Sequence, residues 1–239
     1  QGFHTHTHAH EPAHTHTYTP NNLHLVQLSV TPHTKRIRTP HAPRLAAPLL
    51  AYSFSDDGYA PKAAVEALIS HPNVNASYNE DSNEITYHGS VNLGIAVDTE
   101  AGLLSPVIKN AQDMDIPALS KAINDLAERA RSSKLTPDDL AGGTFTITNV
   151  GVFGVDAGTP IINPGEAAIL CLGAVRRMPW EHRGEIALRD VVTLSLSFDH
   201  RLVDGDLGSR YLADVAALLD SPTAILRLPV FLALFLVCR

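Results

Sequence analysis

A mixed α/β domain is what this sequence predicts from Pro61 onward, on three observations: helical stripes of apolar residues, strand-like alternation between them, and enough apolar residues, 44% of 239, for a substantial core. The first helix opens at Pro61, carries Ala63, Ala64, Val65, Ala67, Leu68 and Ile69, and stops at Pro72. Two strands follow, at 84–88 and 91–98. In the second, Val91, Leu93, Ile95 and Val97 alternate as one buried face, and Gly102 marks the turn after it. A longer helix over 116–132 has its stripe in Ile116, Leu119, Ile123, Leu126, Ala127 and Ala130, with Asp115 placed to accept from its free N–H groups. Thr136, Pro137, Asp138 and Asp139 have the form of a second, short helix start.

Beyond it, TFTITN at 144–149 puts Phe145 and Ile147 on one side and Thr144, Thr146 and Thr148 on the other, a half-buried strand. The stretch 167–175 is nearly all apolar and suits a strand covered on both faces. Alternation returns at 191–200, where Val192, Leu194, Leu196 and Phe198 share the face that receives His200, and Thr193, Ser195, Ser197 and Asp199 face the other way. A final helix over 206–219 buries Leu207, Tyr211, Leu212, Val215, Leu218 and Leu219, with Pro222 after it. No internal repeat is present.

The two ends differ from this middle. Residues 1–50 hold nine of the thirteen histidines in a His/Thr/Pro-rich stretch that begins QGFHTHTHAHEPAHTHTYTP. No element is predicted there, and its removal is expected to leave any activity intact. The alternating His4, His6, His8, His10, His14 and His16 are able to gather a divalent metal, which leaves metal binding through this tract as an alternative function. Lys35, Arg36, Arg38 and Arg44 lie where acidic residues are absent, a faint likeness to an organellar transit peptide. At the other end, 229–239 is a short apolar tail. Its run VFLALFLVC falls well below the roughly 18 residues of a membrane span, and no signal-peptide pattern stands at the N-terminus, so no membrane association is predicted.

A formal charge of −7 and a pI near 6.0 exclude nucleic-acid binding through a basic surface. Cys171 and Cys238 lack C-x-x-C spacing, so neither a disulfide framework nor a zinc site is indicated, and a reducing compartment fits.

Chemistry concentrates in FDHRLVDGD at 198–206, which holds His200 at a strand end and Asp204 four residues later before a glycine. An imidazole titrates near neutrality, so it is able to take a proton from one thiol and return it to another. Taken alone, a His beside Asp and Arg fits a hydrogen-bonded structural loop better than a catalytic one, and Thr146 and Thr148 simply suit a strand.

The motif HxxxDG resembles the signature of a superfamily that contains chloramphenicol acetyltransferases, peptide-synthesis condensation domains and the acyltransferase cores of 2-oxo acid dehydrogenases. Antibiotic acetyltransferases and condensation domains usually have a second histidine before the first; here Asp199 stands instead. Three further stretches resemble the dehydrogenase acyltransferases: VNLGIAVDTEAGLLSPVIKNA from Val91, GGTFTITNVGVFGVDAGTPIINPGEAAIL from Gly142, and LAERARSSKL from Leu126. The resemblance spans about 170 residues, from near Gly58 to near Arg227.

It implies a chloramphenicol-acetyltransferase-like domain over 51–228, a two-layer mixed sheet with helices on one face. It implies acyl transfer between dihydrolipoamide and coenzyme A, a co-substrate, with the lipoyl group carried on a domain absent from this chain. His200 is then the general base, Asp204 orients the loop that presents it, and Thr148 donates to the oxyanion; no metal is assigned. GVDAGTPIINPGEAAIL leans towards branched-chain or generalist acyl groups. Asn149, Asn163 and Arg201 are expected to support loops, and Cys171 to be a buried apolar residue. The implied partners are a homotrimer or larger multiple of trimers and the decarboxylase and dihydrolipoamide dehydrogenase components of such a complex, in a bacterial cytoplasm or, alternatively, a mitochondrial matrix. The family's first strand and helix find no counterpart in residues 1–50, which leaves a catalytically impaired assembly fragment as a further alternative.

Overall fold

The computed structural model describes residues 17–18, 23–31, 58–182 and 184–220. The histidines at 4–16, the basic positions 35–44 and the apolar tail 229–239 lie outside the described residues. Chain order runs through β1 (Thr17–Tyr18), β2 (Leu23–Val30), α1 (Tyr59–Ser70), β3 (Ala76–Asn79), β4 (Glu84–Tyr87), β5 (Leu93–Ile95), β6 (Val97–Thr99), β7 (Gly102–Leu104) and β8 (Val107–Ile108). It continues with α2 (Ile116–Arg131), β9 (Phe145–Asn149), β10 (Ala168–Leu172), β11 (Arg176–His182), β12 (Glu185–Asp199) and α3 (Gly205–Asp220).

Eight strands form the main sheet in the order β1-β2-β12-β10-β9-β5-β8, with β11 paired to the outer part of β12. β9 runs parallel to both β5 and β10, and the remaining pairs are antiparallel, so the sheet is mixed. One face carries the core. Val26, Leu28, Leu93, Phe145, Ile147, Leu170, Leu194, Leu196 and Phe198 pack there against Ala64 and Leu68 of α1, Leu119 and Ile123 of α2, and Tyr211, Leu212 and Val215 of α3. The alternation of apolar and hydroxyl residues leaves the other face polar: Gln27 Nε2 donates to Ser195 Oγ at 3.0 Å, and the Ser29 and Thr193 hydroxyls bond at 3.1 Å. This two-layer arrangement is the one expected.

Local chemistry sets the helix ends. The Asp115 carboxylate accepts from Ala118 N–H at 2.8 Å, Pro117 stands in the first turn of α2, and Arg129 and Arg131 lie in its last turn, where positive charge complements the dipole. Thr136 and Asp139 form a reciprocal capping box on the short 3₁₀ turn Pro137–Leu140.

Two expectations are corrected. The stretch 91–98 is not one strand: it breaks at Ala96, whose N–H is drawn to Ile147 O, so that β5 joins the main sheet and β6 turns away into a separate hairpin with β7. Alternation encodes which face a side chain takes, not which strand it pairs with.

The second correction concerns residues 1–50. β2 pairs with β12 from Leu23↔Asp199 to Val30↔Val192, and Leu25, Val26 and Leu28 are buried. A strand position thought vacant is filled, by a segment whose alternation is hidden inside a low-complexity composition. The expectation that residues 1–50 hold no element therefore falls. Deletion through residue 50 exposes the β12 edge and removes three buried side chains worth roughly 1.5–3 kcal/mol each, so a lower urea midpoint is expected than for the full chain.

Candidate active site

The turn after β12 is tied down through every polar side chain but one. Asp199 N–H donates to Ala167 O at 2.9 Å, and Asp199 O accepts from Leu202 and Val203 N–H at 3.0 Å. The Asp199 carboxylate accepts from the backbone N–H of Arg201 at 2.9 Å and from its guanidinium at 2.6 Å. Arg201 also donates to Glu80 at 2.6 Å and lies over the Tyr78 ring, 4.4 Å from its centroid. Asp204 accepts from Leu207 N–H at 2.8 Å through its side chain and from Gly208 N–H at 2.9 Å through its carbonyl, so it caps α3.

His200 is exposed and has no hydrogen-bond partner among the described residues. Its ring lies 4.0 Å from that of His24 and 6.0 Å from that of Phe198. Both neighbours project to the helix-bearing side of the sheet, as the sequence alternation requires for His200 as well. No hydrogen bond joins Asp204 to the imidazole among the described residues; its carboxylate starts the helix that follows. The Asp199 carboxylate is committed to Arg201.

Thr148 is half-buried on β9, on the face opposite the helices, and its hydroxyl has no partner among the described residues. The register places it beside Cys171, which in turn pairs with Ser195. His200 lies five residues beyond Ser195 and two strands from β9, which puts it roughly 20 Å from Thr148, on the other side of the sheet. The structure thus does not bring the two together within one chain. No single small group reaches both.

Sequence reasoning missed a third group. Thr146 Oγ1 donates to Glu166 Oε1 at 2.9 Å and accepts from Asn163 Nδ2 at 2.8 Å. Burial pushes the Glu166 carboxyl up to about 7, against the smaller lowering effect of hydrogen bonds from Thr146 and Asn163. The signal was a Glu directly before an apolar strand, where a carboxyl has little access to water. A carboxyl raised on folding is protonated more readily in the native state, so its contribution is fully present below the unfolded value near 4.5 and is lost as pH rises through about 7. E166Q removes this dependence. The difference in stability between E166Q and the parent, from urea melts at pH 5 and pH 8, is expected to move in favour of the variant by on the order of 3 kcal/mol at the higher pH.

Cys171 is fully buried, and burial pushes its thiol up to about 11, so it is no nucleophile at neutral pH. Asn149 accepts from Gly151 N–H at 2.9 Å and shapes the loop after β9. No group of three or more metal-ligating side chains occurs among the described residues, and no helix among them is long and apolar enough to cross a membrane.

Residues 56–227 match the family model of 2-oxoacid dehydrogenases acyltransferase (catalytic domain). The dihydrolipoyllysine-residue acetyltransferase component of the pyruvate dehydrogenase complex of Corynebacterium glutamicum is 53% identical over 164 residues, 67% of this chain and 24% of that protein. The succinyltransferase component of the 2-oxoglutarate dehydrogenase complex of Haemophilus influenzae is 44% identical over 165 residues, 69% of this chain and 40% of that protein. The chain therefore spans less than half the length of these relatives. The cubic core of the pyruvate dehydrogenase multienzyme complex superposes with a TM-score of 0.71 at 29% identity, over 87% of this chain and 85% of that one. A chloramphenicol acetyltransferase superposes with a TM-score of 0.52 at 11% identity, over 84% and 89%, a likeness of fold.

Proposed function

Because the chain belongs to the 2-oxoacid dehydrogenase acyltransferase family, as its catalytic domain, we propose that it moves an acyl group between dihydrolipoamide and coenzyme A with His200 as general base, Thr148 as oxyanion donor and Asp204 as the residue that holds the loop. The observation that carries this reading is the state of His200: in a turn whose other polar side chains are engaged, its imidazole alone has no hydrogen-bond partner among the described residues and stands exposed. A ring nitrogen takes the coenzyme A thiol proton, and the thiolate sulfur attacks the thioester carbonyl of the acyl-dihydrolipoamide. The Thr148 hydroxyl donates to the resulting oxyanion. Collapse breaks the bond to the dihydrolipoamide sulfur, which leaves with the proton that the imidazolium returns.

Separation of the half-sites supports an assembly in which His200 of one chain meets Thr148 of another. We read it as a homotrimer or a larger multiple of trimers, docked in a 2-oxo acid dehydrogenase complex with its decarboxylase and dihydrolipoamide dehydrogenase components, in a bacterial cytoplasm. The resemblance of 154–170 favours branched-chain or generalist acyl groups, while the relatives above are named for acetyl and succinyl transfer. The test is transfer from acetyl-, succinyl- and isobutyryl-coenzyme A to free dihydrolipoamide. Transfer from at least one donor is expected; oligomers without any transfer would instead support an assembly fragment. Refolding His200→Ala together with Thr148→Ala is expected to restore activity that neither has alone, because mixed oligomers contain sites with both native residues. No restoration would overturn the shared site.

A further inference from the structure

We propose that Glu166 is a positioning residue for the oxyanion donor: through Thr146 and Asn163 its carboxyl holds the hydroxyl-bearing face of β9 on which Thr148 is presented, and its protonation state sets how well. This rests on the acyl-transfer reading above.

The turn before β10 closes with Glu166 N–H donating to Asn163 O at 3.1 Å, which sends both side chains over β9. The Thr146 hydroxyl is then held from two directions, donating to Glu166 at 2.9 Å and accepting from Asn163 at 2.8 Å. The niche is shaped by what is missing around it. A Cβ on Gly94, the register partner of Thr146 on β5, would come within 2.5 Å of Thr146 Oγ1, and a Cβ on Gly143 within 3.0 Å of Glu166 Oε1. Glycines on two sides thus make room for a hydroxyl, an amide and a carboxyl, and the group links the lead-in of β10 to β9 at a point two residues from Thr148 on the same face.

One oxygen of this group is left over. Glu166 Oε2 is buried without a partner among the described residues. A neutral carboxyl suits the niche, since Oε1 accepts from Thr146 and the charge is absent; a carboxylate puts a buried charge beside only one hydroxyl and one amide. The groups that face it are Thr146 from β9, Gly143 from the segment before β9, and Asn163 from its own turn; none of them titrates, and no charged side chain is among the groups that set its acidity. Its titration therefore falls near neutrality and belongs to Glu166 itself. Ionisation tightens the bond that Thr146 donates but draws water towards Oε2, and the wetted carboxylate displaces the strand that aims Thr148.

The test uses the full chain and its E166Q and E166A variants, each checked by thermal melt and oligomeric state, with turnover and coenzyme A KM measured from pH 5.5 to 9. The parent is expected to show a falling limb of turnover above about pH 7. E166Q, neutral at every pH, should keep turnover within a few-fold at pH 6.5 and lose that limb. E166A should lose turnover roughly 10- to 10²-fold at every pH with KM unchanged, as misplacement by about an ångström does. A carboxyl band in the infrared difference spectrum should titrate near pH 7 in the parent and be missing in E166Q. An active parent whose pH profile is matched by E166Q, or whose turnover is matched by E166A, overturns the role of Glu166 alone. A folded parent that transfers no acyl group overturns this role together with the reading on which it rests.

Discussion

Replacing His200 with alanine is expected to lower acyl transfer at neutral pH by roughly 10²–10⁴-fold, the usual contribution of a positioned general base. The rate of the variant relative to the parent should climb with pH, because coenzyme A must then form its thiolate unaided. Little else should change. His200 is exposed, among the described residues makes ring contacts with His24 and Phe198 and no hydrogen bond, and leaves the turn to be held by Asp199, Arg201 and Asp204. Steady-state transfer to dihydrolipoamide from pH 6 to 9, with a melt on the same sample, measures both. A folded variant with the parental rate and pH profile would remove His200 from the mechanism while leaving the family membership untouched.

Thr148→Ala is expected to lower turnover by roughly 10²–10³-fold, the usual loss on removing one oxyanion donor, with coenzyme A KM nearly constant. The rising limb set by the base should remain, while the falling limb above about pH 7 should be lost with the hydroxyl that Glu166 aims. Thr148→Ser keeps a hydroxyl and should recover most of the loss. The contrast is with Thr146→Ala, on the same face of β9 but fully engaged. That change strands Asn163 Nδ2 and Glu166 Oε1, so its first effect should be a loss of about 1–3 kcal/mol of stability, read by urea melt. Equal loss of turnover in folded Thr146→Ala and Thr148→Ala would show that the strand's integrity, not a specific donor, is what matters.

Much of this was legible from local pattern. The stripes of α2 and α3 follow the 3.6-residue period, and their ends are written in Asp115, Pro117, Arg129 and Arg131. Alternation along β9 and β12 correctly sorted core from polar face, and with it placed His200 and Thr148 on opposite sides of one sheet. Among the strands that escaped notice, β3 and β11 pair in hairpins whose outer residues are largely exposed, so they show no apolar face to find. Glu166 escaped because an acidic residue in a turn normally meets water, and only the fold reveals that this one meets Thr146 and Asn163.

By itself, then, the sequence determined the α/β class, the helices and their caps, the face each strand residue takes, and the loop that carries His200, since all of these depend on neighbours within a few positions along the chain. The tertiary structure alone decided that Leu23–Val30 would complete the sheet beside β12, that the alternating stretch at 91–98 would divide between two sheets, and that a buried carboxyl would brace the strand of Thr148. It also decided that His200 and Thr148 lie roughly 20 Å apart in one chain. The physical reason is shared: strand pairing and register are contacts between distant segments, and a periodic pattern states which way a side chain points but not what it meets.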